Sequence, residues 1–337
     1  MIQCRAGRPV DAMKIPRRRF LHLAAGAAAL PVVTRFAFAQ AYPSRPVRIV
    51  VPFVASGGND IHARLFAQIL SERLGQSFVV ENRPGAGGSI GTAEVMRSAP
   101  DGYTLLGMSV GMAIVAAYDD HLSYDFIRDI APVASFYRSN FFMLVNPSLP
   151  VKTVPEFIAY AQSNSRATNM GSNGIGSTGH LAGEMFKMMA GIKMLHVPYR
   201  GEGQALTDLI GGQLHVMFAS MTASMQLVRS GQLRALAMTG ASRSPAIPEV
   251  PAVAEFLPGY EINSWAGMGA PKNTPSAIID LLNREIRTGL QRQEIKAKYA
   301  DLGGSTFSTS PIEFGKFLAE DVAKWTKLWK FAGLKPA

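Results

Sequence analysis

The chain has 337 residues, 47% of them hydrophobic, with 32 glycines, 21 prolines, one cysteine and a formal charge of +10. That length suits roughly two domains of about 150 residues each, and so mixed a composition excludes a collagen, a coiled coil and a wholly disordered chain. The charge is concentrated at the start: residues 1–39 hold seven of the 34 Lys and Arg and one acid, Asp11, which leaves 27 basic and 23 acidic groups downstream. With no later run of Lys or Arg, that balance supplies no basic face for nucleic acid.

Arg17-Arg18-Arg19-Phe20-Leu21 leads into the apolar, alanine-rich residues 21–33, and Ala37-Phe38-Ala39 follows. Basic, apolar and small-x-small segments in that order form an export signal over residues 1–39, with Gln40 as the expected first residue of the mature chain. The RRxFL string resembles a twin-arginine signal, whose route exports folded proteins, so the expected compartment is the periplasm. About 13 apolar residues broken by Pro31 are too few to span about 30 Å of hydrocarbon, and no later segment has the roughly 18 uninterrupted apolar residues that a span needs. Cys4 lies upstream of the arginines and leaves with the leader. The mature protein is therefore expected to have no disulfide, no cysteine metal site and no cysteine nucleophile.

The β-branched residues 46–53 read as a strand, residues 54–60 as a loop, and Ile61, Leu65, Phe66, Ile69 and Leu70 as the apolar face of a helix. Residues 77–80 are the next expected strand, residues 82–91 a loop opening a helix through Ala93 and Met96, and residues 103–108 a third strand. This alternation predicts a parallel sheet with right-handed crossovers. A second set starts with a strand at 141–145 and a helix whose capping box is Thr153 with Glu156. Strands at 168–171, 193–198, 215–219 and 233–238 and helices at 180–189 and 204–210 complete it, so two α/β lobes are expected. The tail reads as helices over 284–299 and 314–331, with Thr274-Pro275 and Ser310-Pro311-x-Glu313 as start signals.

Three glycine-rich loops lie between an expected strand and an expected helix: Ala55-Ser56-Gly57-Gly58-Asn59-Asp60, Gly85-Ala86-Gly87-Gly88-Ser89 and the segment from Gly171 to Gly179. There the first turn of a helix offers unpaired N–H groups and its positive dipole end, and glycine lets a ligand approach the backbone. Each loop alone reads equally as a tight turn. Together, at the carboxyl ends of strands and flanked by hydroxyls and amides, they point to an anion site. Gly174-x-Gly176-x-x-Gly179 matches a dinucleotide fingerprint, but the following strand ends in His196-Val197-Pro198-Tyr199-Arg200 with no acid for a ribose. Gly107-Met108-Ser109-Val110-Gly111 spells a nucleophile elbow, yet no histidine follows His215. The six histidines show neither HxH nor HxxxH spacing, so no metal is expected. His180, at a helix start, suits ligand contact, capping or packing equally, and Met185, Met188 and Met189 read as core.

Pro52-Phe53-x-x-x-Gly57-Gly58-x-Asp60, Glu81-Asn82-Arg83-Pro84-Gly85-Ala86-Gly87-Gly88, Ala99-Pro100-Asp101-Gly102-Tyr103-Thr104, Pro198-Tyr199-Arg200-Gly201 and Gly211-Gly212-Gln213 stand in that order. From about Tyr42 onward, with Trp265 and Ala270-Pro271-x-x-Thr274-Pro275 included, the chain resembles the Bug-type solute receptors of tripartite tricarboxylate transporters. The resemblance implies an α/β periplasmic binding protein of the Venus-flytrap, type II-like kind, with two lobes joined by crossing strands and a ligand cleft between them. It implies that a ligand carboxylate is held by backbone amides, small hydroxyls and water. Carried over by position, the implied ligand-binding residues are Phe53, Ala55, Ser56, Gly57, Gly58 and Asp60; Gly88 and Ser89; Ser172, Asn173, Gly176, Ser177, Thr178 and Gly179; and Tyr199 with Gly201. Where such receptors usually carry Val-Asp, and then an acid or amide after Met-Phe, this chain has Leu214-His215 and Ala219-Ser220. The ligand is therefore left open among mono-, di- and tricarboxylates.

The expectation is a monomeric, non-enzymatic periplasmic receptor with no cofactor, handing a small organic carboxylate to the integral-membrane permease subunits of its transporter. The expected lobes are residues 40–140 with 266–337, and residues 141–265. An exported NADP-dependent oxidoreductase and a receptor that signals to a sensor are the alternative readings.

Overall fold

The computed structural model describes residues 42–55, 58–164, 167–244 and 247–334. The leader, Cys4, the expected cleavage point, Ser56 and Gly57 lie outside the described residues. Strand β1 (Val47–Val51) is almost wholly apolar and buried, and it lies parallel to both β2 (Phe78–Asn82) and β3 (Thr104–Ser109). Between them run α1 (Gly58–Leu74) and, after a single 3-10 turn, α2 (Ser89–Met96), and α3 (Val110–Tyr118) follows β3. Residues outside this first half repeat the plan. After α4 (Val154–Ser163) come β5 (Asn169–Ser172), α5 (Thr178–Ala190), β6 (Leu195–Pro198), α6 (Glu202–Ile210), β7 (Val216–Ser220), α7 (Met221–Arg229) and β8 (Arg234–Met238), with β5 parallel to β6 and β7.

The halves are joined by strands that the sequence pattern does not display. Strand β4 (Ile130–Val145) has 16 residues, where the pattern marks only its last five as a strand. Its stretch from Ile130 to Asn140 pairs antiparallel with β9 (Asn263–Pro271), and from Phe141 onward it pairs antiparallel with β7 and β8. Strand β9 also lies antiparallel to β3, so the expected all-parallel sheet is corrected to a mixed one, ordered β2-β1-β3-β9-β4-β7-β5-β6. Pro132, which has no N–H to give, sits at a register irregularity of β4, where the ladder does not need one.

The tail differs from expectation in its helix count, in the place of Pro275 and in an added strand. The single helix expected over 284–299 is two, α8 (Ser276–Leu290) and α9 (Gln293–Asp301), because Arg292 between them adopts an extended backbone. Pro275 is the residue before α8 rather than its first turn. Strand β10 (Gly304–Thr306) adds to β4. Helix α10 (Pro311–Ala332) starts at the capping box of Ser310 and Glu313 and stops at Gly333, whose φ of 62° is left-handed.

Helix α10 buries Phe314, Leu318, Asp321, Trp325, Leu328 and Trp329 at three- and four-residue spacing, in a core that also takes in Leu106 of the first half and Phe218 of the second. One carboxylate ties this helix to the crossing strands. Asp321, 3% exposed, accepts the indole N–H of Trp265 at 2.8 Å and that of Trp325 at 2.9 Å, while Lys324 lies 2.7 Å from its other oxygen. Removing the acceptor strands two buried donors. Asp321→Ala is expected to lower stability by about 3 kcal/mol and Asp321→Asn by less, read from urea unfolding midpoints. A loss under about 0.5 kcal/mol for the alanine variant would show that the indoles find other partners.

Candidate functional site

Alternation along the crossing strands gives the ribbon two faces. Tyr137, Ser139 and Phe141 of β4 and Ser264 of β9 line a cavity of about 360 Å³. Arg138 of β4 with Asn263 and Trp265 of β9 lines another, of about 640 Å³, whose further wall is α10 through Phe317, Asp321, Lys324 and Leu328. The smaller cavity draws on both halves: Gly58, Ile61 and His62 from the first turns of α1, Glu202 from α6, and Ser220, Thr222 and Ala223 from the start of α7. The larger one contains none of the residues carried over from the resemblance. The smaller is the candidate ligand cleft, since of these two it is the one that sets two helix N-termini across the crossing strands.

His62 packs against Tyr137, with ring centroids 4.0 Å apart, and leaves its Nδ1 buried with no partner. Burial without a counter-charge pushes its pKa down to about 4. Asn59, one residue after Gly58, likewise buries Nδ2 without a partner. Across the cleft, Ser220 caps α7, its Oγ accepting from Ala223 N–H at 3.3 Å. The carboxylate of Glu202 accepts the Ser220 N–H at 2.6 Å and its hydroxyl at 2.9 Å. Burial raises the Glu202 pKa, against the pull of those two hydrogen bonds.

Of the described residues carried over from the resemblance, Gly58 lines this cavity. Asp60 is 3% exposed, and its carboxylate accepts from Arg64 Nε at 2.9 Å and Asn82 Nδ2 at 3.0 Å, which fastens α1 to β2. Phe53 gives its carbonyl to Asn82 and its ring to Gly88, where a Cβ would sit 3.1 Å from Phe53 Cζ and where φ is 99°. Ala55 is exposed, and Ser89 turns its hydroxyl back to Ala86 O at 2.8 Å.

The third loop is tightly internally bonded. Ser172 Oγ lies 2.6 Å from His196 Nε2 and accepts the Gly174 N–H at 3.1 Å. Ser177 caps α5 and donates to Gly174 O at 2.7 Å; Asn173 is exposed and Thr178 opens the helix. Gly176, at φ 74°, donates its N–H to His180 Nδ1 at 3.0 Å and faces the Trp329 ring, 3.1 Å from where a Cβ would be. Gly179 is required by packing, since a Cβ there would lie 2.5 Å from Phe218 O. Tyr199 donates to Asp208 Oδ2 at 2.6 Å, and burial, with that bond, raises its pKa to about 12. Gly201 has an extended backbone and open space around it. Beneath the loop, His180 stacks on His196 with centroids 3.6 Å apart, and its Nε2 lies 3.5 Å from Glu184, which Lys187 holds at 2.8 Å. His180 thus supports the loop by accepting from Gly176.

His62, Glu202 and Ser220 were not among the residues singled out as ligand contacts. His62 reads in sequence as one of six scattered histidines, and Glu202 as an acid suited to the first turn of a helix. A small clue was Ser220 beside Ala219, where relatives of the resembled kind carry an acid or amide. Ser109, of the GxSxG string, has φ −152° and ψ 170°, ordinary extended backbone rather than a strained elbow. Among the described residues, no group of three His, Cys, Asp or Glu could hold a metal ion, and no helix is long and apolar enough to cross a membrane.

Two α/β halves on one mixed sheet, joined by crossing strands and leaving a cleft between helix N-termini, define the fold of the periplasmic solute-binding proteins. Residues 62–334 match the family model of the tripartite tricarboxylate transporter family receptor. Protein BugT of Bordetella pertussis is 35% identical over 300 residues, covering 88% of this chain and 92% of its own. A protein of R. palustris solved with adipate is 36% identical, with a TM-score of 0.74 over 88% of this chain and 100% of that one. MatC from Rhodopseudomonas palustris, solved with bound malate, is 29% identical, with a TM-score of 0.70 over 85% and 99% of the two chains. The chain belongs to the tripartite tricarboxylate transporter receptor family.

Two of the perturbed imidazoles, His62 and His196, set a pH window. Burial first, and then the charge of His180, lowers the His196 pKa to about 4, as burial alone does for His62, against a usual value of 6.5. The unfolded chain then binds more protons between those values, so both groups withdraw stability as pH falls from about 6.5 to 4. Glu202, whose pKa is raised, acts in the opposite sense over the acid end of that range. The melting temperature of His62→Gln and of His196→Gln is expected to fall less steeply from neutral pH to the acid end of the window than that of the unaltered protein. Parallel slopes would refute the assignment.

Proposed function

We propose that this protein is a periplasmic receptor that captures a small organic carboxylate between its two halves by closing on it, and delivers it to the membrane permease subunits of a tripartite transporter. The observation that carries the proposal is the cleft itself, where the N-terminus of a 17-residue helix, α1, meets that of α7 across β4 and β9. Helix N-termini attract carboxylates, and one charge-assisted hydrogen bond contributes about 1.5–3 kcal/mol. Micromolar binding needs about 8 kcal/mol, so four to six such bonds suffice after ordering costs. The adipate and malate recorded with two relatives are ligands of that chemical class.

In this reading the moving bodies are residues 40–140 with 266–337, and residues 141–265. The change of partner at Asn140 and Phe141 of β4 supports a hinge there. Residues 1–39 would be removed on export through the twin-arginine route, leaving Gln40 first. Chemistry on the ligand has no part in the proposal.

The test is paired calorimetry and small-angle scattering on the mature protein across short mono-, di- and tricarboxylates. At least one acid is expected to bind with one-to-one stoichiometry and to reduce the radius of gyration. Binding with an unchanged scattering curve would refute closure, and no binding by any carboxylate would refute the receptor reading.

A further inference from the structure

The cleft is polarised, and the polarity comes from side chains of this chain. On the α1 wall the helix presents the positive end of its dipole. The helix opens at Gly58, and His62, only 7% exposed, is among the residues lining the cavity, its Nδ1 buried without a partner. On the α7 wall the equivalent seat already holds an anion: the N–H and the hydroxyl that a ligand carboxylate would seek at Ser220 both go to Glu202. Among the described residues no Lys or Arg lines the cavity, so none of them offsets the Glu202 charge there.

A solute with a carboxylate at each end would set its second charge against Glu202 in a partly desolvated place, a like-charge encounter with no relief. Each oxygen of Glu202 accepts one hydrogen bond from Ser220 and retains capacity for another. A donor arriving from the cleft would use that capacity and, if charged, neutralise the group. We propose that the solute carries one carboxylate, seated at the first turn of α1, and a hydrogen-bond-donating far end, an ammonium or a hydroxyl, received by Glu202, so that dicarboxylates of equal length are rejected. This rests on the receptor reading above and narrows its substrate class.

Calorimetry on the mature protein at neutral pH tests it with three matched series four to six carbons long: ω-amino acids (4-aminobutyrate to 6-aminohexanoate), ω-hydroxy acids, and the dicarboxylates succinate, glutarate and adipate. In the unaltered protein an ω-amino or ω-hydroxy acid is expected to bind at least about tenfold more tightly than the dicarboxylate of its length; which of the two series binds identifies the donor. Glu202→Gln, its folding checked by its melt, is expected to erase or invert that ratio. A dicarboxylate that binds the unaltered protein as tightly as its partners overturns the proposal and leaves the receptor reading standing, and this arm needs no variant. An unchanged ratio in folded Glu202→Gln overturns it too. If no member of any series binds, the proposal falls, while the receptor reading stands or falls on the wider screen of mono-, di- and tricarboxylates.

Discussion

The fold depends on the pairing of two strands. From Ile130 to Asn140, β4 runs alongside β9, and only past Phe141 does it become part of the second half. A strand of 16 residues extends for about 50 Å, long enough to serve both halves with one backbone. Because its side chains alternate, the same ribbon presents Tyr137, Ser139 and Phe141 to one cavity and Arg138 to another. The floor of the cleft and the back of the molecule are thus specified by neighbouring residues, and a one-residue slip would exchange them.

What this ribbon brings together is a pair of helix beginnings. Neither α1 nor α7 has a basic side chain at the cleft, and the positive character there is that of the backbone. Such a site depends on what else occupies it. Glu202 occupies one end, while His62 and Asn59 leave polar atoms unanswered near the other. The glycines of the third loop do a different job from the open approach that their spacing suggests. Gly179 allows α5 to lie against Phe218, and Gly176 adopts a left-handed turn under Trp329. They shape the loop, and its hydrogen bonds to His180 and Ser172 keep that shape.

The sequence makes some of this legible and hides the rest for physical reasons. Strands such as Val47–Val51 announce themselves because their burial is apolar on both faces. Strand β4 does not, because Ser135 is buried as a hydrogen-bonded polar residue, 2.8 Å from Thr309 Oγ1 and 2.7 Å from Phe307 O, and Pro132 interrupts the run. Strand β9 is hidden by Gly267 and Gly269, poor strand formers that are needed where Phe314, Ala134 O and Met108 come too close for a Cβ. The first loop was readable as a helix start from its glycines. Glu202 was not, since its role depends on where β7 delivers Ser220, a contact 18 residues away that no local pattern encodes. The resemblance to a known receptor family was readable from five short strings, and the comparison bears it out over residues 62–334.

All three tryptophans of the chain gather at the seam between the crossing strands and the last helix: Trp265 on β9, Trp325 and Trp329 on α10. Two share the carboxylate of Asp321, and the third lies stacked on Tyr118 with the Gly176 loop above it. The tryptophan emission of this molecule therefore comes from one place. Light collected from it is a local gauge of that seam, blind to the outer helices and sensitive to any shift of one half past the other.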